Sequence, residues 1–213
     1  MKAIADNDIL LKGACYGFLP ELFATVPGDG CVGLLGAARF VVPKKIAQKS
    51  LNGDPAAAQA RFLSFLGDNE LLEPGSEEQE LAAFLEKTAQ DLALNLDTGE
   101  SQLVAILVSR CLPSLLTGDK RAITSLEKLM DSDTRLAPVA GKVRCLEQLV
   151  KVLLANGNAQ NVRGIICAEP SVDKTLSICF SCHGGEQHAA TASEGLDSYI
   201  AALRSKAARV LAT

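Results

Sequence analysis

The chain has 213 residues, 48% of them hydrophobic, and a formal net charge of −4 spread along its length. That size can bury a substantial core, and the composition excludes a fibre, a disordered tail and a polybasic arm that would hold nucleic acid by net charge alone. No 18-residue stretch is free of charged or strongly polar residues, and "MKAIADND" is unlike a signal peptide, so a cytoplasmic protein with no membrane span is expected.

Residues 1–6, "MKAIAD", read as a short buried strand. Ile9, Leu10, Ala14, Phe18 and Leu22 then recur near the 3.6-residue helical period. "VPGDG" is a turn, and "CVGLLGAA" reads as a second buried strand. "KKIAQKSL" and "DPAAAQARFLSFL" read as helices, the second with Asp54 as N-cap and Pro55 in its first turn. In "EPGSEEQELAAFLEKTAQDL", Ser76 and Gln79 fit a capping box, and Leu81, Phe84, Leu85 and Ala89 form an apolar face. A helix is expected from Thr98, a strand at "LPSLLTG", and a helix over "DKRAITSLEKLM". "VRCLEQLVKVLLANG" reads as a helix closed by Gly157, "VRGIICAEP" and "TLSICFS" as late strands, and "GLDSYIAALRSKAARVL" as a terminal amphipathic helix.

Strands alternating with helices predict an α/β fold, three layers with a central, mostly parallel sheet. No linker-like composition divides the chain. It is therefore read as one domain, with a core over about 1–135 and residues 136–213 as its elaboration.

The acids attract the most interest. In open parallel sheets, functional groups collect beyond the carboxyl ends of the strands, where helix N-termini also point. Asp6 and Asp8 follow the first strand, Asp119 follows "SLLTG", and Glu100 lies in the first turn of its helix. Carboxylates gathered in one crevice would repel one another unless a cation lies between them, and hard oxygen ligands suit Mg²⁺ or Mn²⁺. Helix capping is the competing role: Asp97 and Glu100 fit a capping box, and Asp119 fits a first-turn acid.

"IADNDILL", "DTGESQLVAI" and "LLTGDKRAI", in this order, resemble the PIN domain, a family of metal-dependent nucleases. The resemblance covers residues 1 to about 130 and implies a three-layer PIN-like fold. It implies a ribonuclease that hydrolyses phosphodiester bonds, with Asp6, Glu100 and Asp119 catalytic. Asp6, Asp8, Glu100 and Asp119 would be the ligands of Mg²⁺ or Mn²⁺, and Lys120 or Arg121 would bind the substrate phosphate. RNA is the implied partner; an antitoxin-like protein and a homodimer are further ones. The family's early-helix Glu has no counterpart, because residues 37–46 contain no acid and Pro43 and Lys44 stand about where it would fall. A catalytically weakened PIN-like module that binds RNA or a protein is therefore the alternative, and Asp173 in "EPSVDK" is a candidate substitute carboxylate.

Two other groupings remain. Cys15, Cys31, Cys111, Cys145, Cys167, Cys179 and Cys182 are odd in number and lie mostly in apolar runs, so reduced thiols are expected. Cys179, Cys182, His183 and His188 have the types and number for zinc, though one CxxC pair is a weak signal and plain thiols are the default. Lys44, Lys45, Lys49, Arg61, Lys120 and Arg121 could form a phosphate-binding rim or simply a solvated helix face.

Overall fold

The computed structural model describes residues 1–157, 159–184 and 189–213. Five short strands, β1 (Ala3–Ala5), β2 (Val32–Leu35), β3 (Glu70–Leu72), β4 (Leu115–Thr117) and β5 (Val143–Cys145), form one sheet in the order β3-β2-β1-β4-β5. Every neighbouring pair is parallel. The helices are α1 (Asn7–Tyr16), α2 (Leu19–Ala24), α3 (Ala38–Gln48), α4 (Pro55–Gly67), α5 (Ser76–Asp91), α6 (Thr98–Ser109) and α7 (Lys120–Leu129). After a 3-10 turn (Thr134–Val139) come α8 (Leu146–Asn156), α9 (Ala159–Ala168), α10 (Lys174–Cys179) and α11 (Ala189–Arg204).

The pleat divides the core in two. Ala3 and Ala5 of β1 face a layer containing α1 to α4 and α8 to α10, whereas Ile4 faces α5, α6, α7 and the 3-10 turn. Because helices cover both faces, β1, β2 and β4 are buried at every position, which is why they read as continuous apolar runs. The fold is three-layer α/β/α with an all-parallel sheet. No helix among the described residues is long and apolar enough to cross a membrane.

Several local expectations are corrected. The run from Ile9 to Leu22 is two helices, because Gly17 ends α1 in the left-handed region at φ 79°. β3 is an addition to the expected elements; it has three residues, two of them exposed at the sheet edge. "VRC" is a strand preceding α8. "VRGIICAEP" and "TLSICFS" lie in helices, not strands: Val162 and Ile166, then Leu176 with Cys179 and Phe180, bury one face at helical spacing. At the start of α5 the cap is Gly75, whose N–H donates to Glu78 Oε2 at 2.8 Å. Phe84 is 37% exposed and lies beneath the Arg135 guanidinium rather than in the core.

The expectation of reduced thiols fails at one pair, since Cys167 and Cys182 form a disulfide. It joins the end of α9 to the turn after α10, regions brought together by the packing of these helices. Cys182 is therefore no zinc ligand, Cys179 is buried, and His188 lies outside the described residues. The bond closes a loop over a sequence separation of 15. In the chain-entropy account such a loop is worth about 3 kcal/mol. Reduction with a thiol is expected to lower the melting temperature by about 6–12 °C, measured by circular dichroism.

Candidate functional site

In a parallel sheet, the crevice beyond the strand ends opens where the strand order reverses, which here is between β1 and β4. Asp6 immediately follows β1 and caps α1; Asp119 follows β4 by two residues and caps α7. Thr117, the last residue of β4, ties them together. Its hydroxyl donates to Asp6 Oδ2 at 3.3 Å and accepts from the Asp119 N–H at 3.1 Å. Asp97 and Glu100 form the expected capping box at the start of α6: the Glu100 N–H donates to Asp97 Oδ1 at 2.8 Å, and the Asp97 N–H to Glu100 Oε2 at 2.9 Å. All four acids, with Asp8, line one cleft of about 490 Å³. Capping and convergence hold at once, so the two roles weighed from the sequence are not exclusive.

The cations of the cleft are unevenly distributed. Lys12 bridges Asp8 at 2.6 Å and Asp173 at 2.7 Å. Lys120 turns away to Glu147 at 2.6 Å and to Thr175 Oγ1 at 2.8 Å. Arg121 closes back on Asp119 at 3.0 Å. Lys45, from the segment where the resemblance would place an acid, also lines the cleft. Lys44, Lys49 and Arg61 are not among its lining residues, and Arg61 instead donates to the Ala14 carbonyl near the end of α1. Among the described residues no cation forms an ion pair with Asp6, Asp97 or Glu100.

The protonation equilibria follow. Burial, then the Asp8 carboxylate, pushes Asp6 up to about 6 against the N–H groups of Asn7 and Asp8 that hold it down. Burial, opposed by the Asp97 N–H and reinforced by the Asp97, Asp6 and Asp119 charges, pushes Glu100 up to about 8. Leu103, Val104, Leu115, Ala122 and Leu126 line one small, mostly apolar cavity together with these two carboxylates. Asp119 is different: burial raises it, but hydrogen bonds from the Arg121 side chain and from the Arg121 and Ala122 N–H groups outweigh this and hold it below its usual value. Two acids held above their ordinary range in one crevice are the pattern expected where positive charge is to be received.

Among the described residues, no three carboxylate, imidazole or thiol groups stand as a ready-made ion site; Asp8 is turned to Lys12 and Asp119 to Arg121. The chemistry of the donor set nevertheless fits a hard divalent cation: oxygen donors only, two of them without a cationic partner. Sequence reasoning missed Lys12 and Thr117. Lys12 had a visible signal, a lone cation among the apolar residues of α1.

Gly118 is also part of the site. A Cβ there would stand 2.0 Å from Asp8 Oδ2 and 3.2 Å from Lys12 Nζ. Gly118→Ala is expected to displace Asp8 and to cost about 1–3 kcal/mol, read as a lower denaturation midpoint in urea. Comparison of the chain with models of protein families, with curated proteins and with solved structures finds no match.

Proposed function

We propose that the protein is a divalent-metal-dependent nuclease of the PIN type that hydrolyses phosphodiester bonds in RNA. The observation that carries this reading is the pair Asp6 and Glu100, two acids raised to about 6 and about 8 beside Asp119 at the reversal of the sheet. A fold gains no stability by placing uncompensated carboxylates together, so their convergence favours a role in binding a cation.

Asp6, Glu100 and Asp119 would hold Mg²⁺ or Mn²⁺, with Asp8 joining when Lys12 releases it. A bound ion of this kind lowers the pKa of water and offsets negative charge developing on a phosphate. Thr117 fixes the Asp6 carboxylate through its hydroxyl, and Asp97 fixes Glu100 through the capping box. Arg121, exposed and joined to Asp119, is placed to turn toward a substrate phosphate. Cytoplasmic location, a homodimer and a small inhibitory protein partner belong to the same proposal.

One observation favours a second reading. Residues 37–46 supply no acid, and Lys45 faces the cleft instead, which lowers its negative charge. A catalytically weakened module would bind the ion and RNA without cutting. Incubation of labelled RNA with Mn²⁺, with Mg²⁺ or with EDTA separates the two. Cleavage that requires the metal is expected; metal and RNA binding without cleavage would favour the weakened module.

A further inference from the structure

A second cavity, of about 480 Å³, adjoins the acidic cleft and shares Lys120 and Arg121 with it. Its chemistry is the opposite. Helix α7 places Lys120, Arg121, Thr124 and Lys128 on one face while Ala122, Ile123, Leu126 and Leu129 are buried on the other. Across from it, Tyr199 and Leu203 of α11, followed by Lys206, complete the wall, and Leu94 contributes to the floor. Among the described residues none that lines it is acidic, in a chain whose net charge is −4. Lys120 is committed to Glu147 and passes over the Tyr199 ring at 5.2 Å. Lys128 and Lys206 are exposed and make no ion pair among the described residues. An apolar floor with an aromatic ring, rimmed by unpaired cations, matches a ligand that has a flat ring and a phosphate.

We infer that this cavity holds a nucleotide of the RNA strand next to the scissile phosphate, with its base against Tyr199 and Leu203 and its phosphates at Lys128, Lys206 and Arg121. The inference rests on the nuclease reading for the direction of the strand, because the acidic cleft repels phosphate except where a metal draws it in. The basic cavity beside it then supplies the binding free energy that the cleft lacks. Lys120, fixed by Glu147, forms the wall between the two.

Fluorescence anisotropy of a fluorescein-labelled oligouridylate, titrated in EDTA over a series of salt concentrations, tests this without metal. The native protein is expected to bind. Lys128→Ala/Lys206→Ala is expected to bind at least about tenfold more weakly, with the salt slope reduced by about 1.4, near 0.7 for each phosphate that a lysine no longer neutralises. Tyr199→Leu is expected to weaken binding about fivefold or more with the slope unchanged. Stabilisation by Mn²⁺ in thermal melts should be the same in all three proteins. No binding by the native protein, or equal affinities and slopes in native and double variant, would overturn the inference. Expected RNA results without any Mn²⁺ stabilisation would remove the nuclease reading and keep the cavity. Metal-dependent cleavage with unaltered RNA binding in the variants would do the reverse.

Discussion

Glu100→Gln is expected to make the protein more stable at pH 8 while abolishing metal binding and cleavage. The amide oxygen of Gln still accepts the Asp97 N–H, so the cap on α6 survives. What disappears is a carboxylate raised from 4.5 to about 8 by burial and by its acidic neighbours. Its native-state pKa lies above the unfolded value, so between these two the folded chain holds the proton more tightly. The penalty for ionising it is absent below about pH 4.5, grows as pH rises, and is complete above about 8. The gain in stability from Gln should follow the same course, reaching a few kcal/mol on the alkaline side. Asp6→Asn should behave alike over a lower window, from 3.8 to about 6, because an Asn oxygen can still accept from Asn7 N–H. In the proposed nuclease each substitution would remove a ligand charge, and cleavage should fall by about 100-fold or more. Thermal melts at pH 5, 7 and 8.5, with and without Mn²⁺, check the first part: Mn²⁺ should raise the native midpoint most at high pH and leave that of Glu100→Gln unmoved. A Glu100→Gln protein less stable than native at pH 8 would make Glu100 a structural cap alone.

The contrast between these acids and their neighbours explains how much of the site could be read from the sequence. Asp6, Glu100 and Asp119 were legible because each falls at a junction that local pattern marks, the end of an apolar strand or the start of an apolar helix. The ion pairs that surround them were not. Lys12 meets Asp173, and Lys120 meets Glu147, only once α10 and α8 have packed over the sheet. Sequence spacing carries no trace of such pairings. The same limit applies to the fold. β1, β2 and β4 lie in the middle of the sheet and are apolar on both faces, so they stood out. β3, at the edge, keeps Glu70 and Leu71 exposed and leaves almost no apolar run. α9 and α10 read as strands because β-branched and aromatic side chains favour strands only as a weak preference, which packing of their apolar faces onto α1 and α11 overrides.

Lys12→Met is expected to produce the largest loss of stability, about 3–5 kcal/mol at neutral pH. Lys12 is 13% exposed and Asp173 10%, so the ion pair is largely screened from water, and Met fills similar volume without charge. Burial alone would discharge this lysine, but Asp8 and Asp173 outweigh it and hold the ammonium well above its ordinary range. In return Asp173, which burial would raise, is held below its usual value by Lys12. Its stabilising contribution is therefore present above about pH 4 and is lost as pH falls through the depressed native value. Without Lys12 the Asp173 carboxylate loses the charge that holds it down and rises with burial, so the cost of Lys12→Met should shrink between pH 7 and pH 4.5. Lys12→Met/Asp173→Asn should recover part of the loss at pH 7, since one of the two stranded charges is gone. Urea denaturation at the two pH values checks both expectations. The variant also asks what Asp8 does. Released from Lys12, its carboxylate would join Asp6 and Glu100 in the cleft, and Mn²⁺ should then stabilise Lys12→Met more than it stabilises the native protein. Equal stabilisation would mean that Asp8 serves to hold Lys12 and Gly118 in place, leaving Asp6, Glu100 and Asp119 to receive the ion.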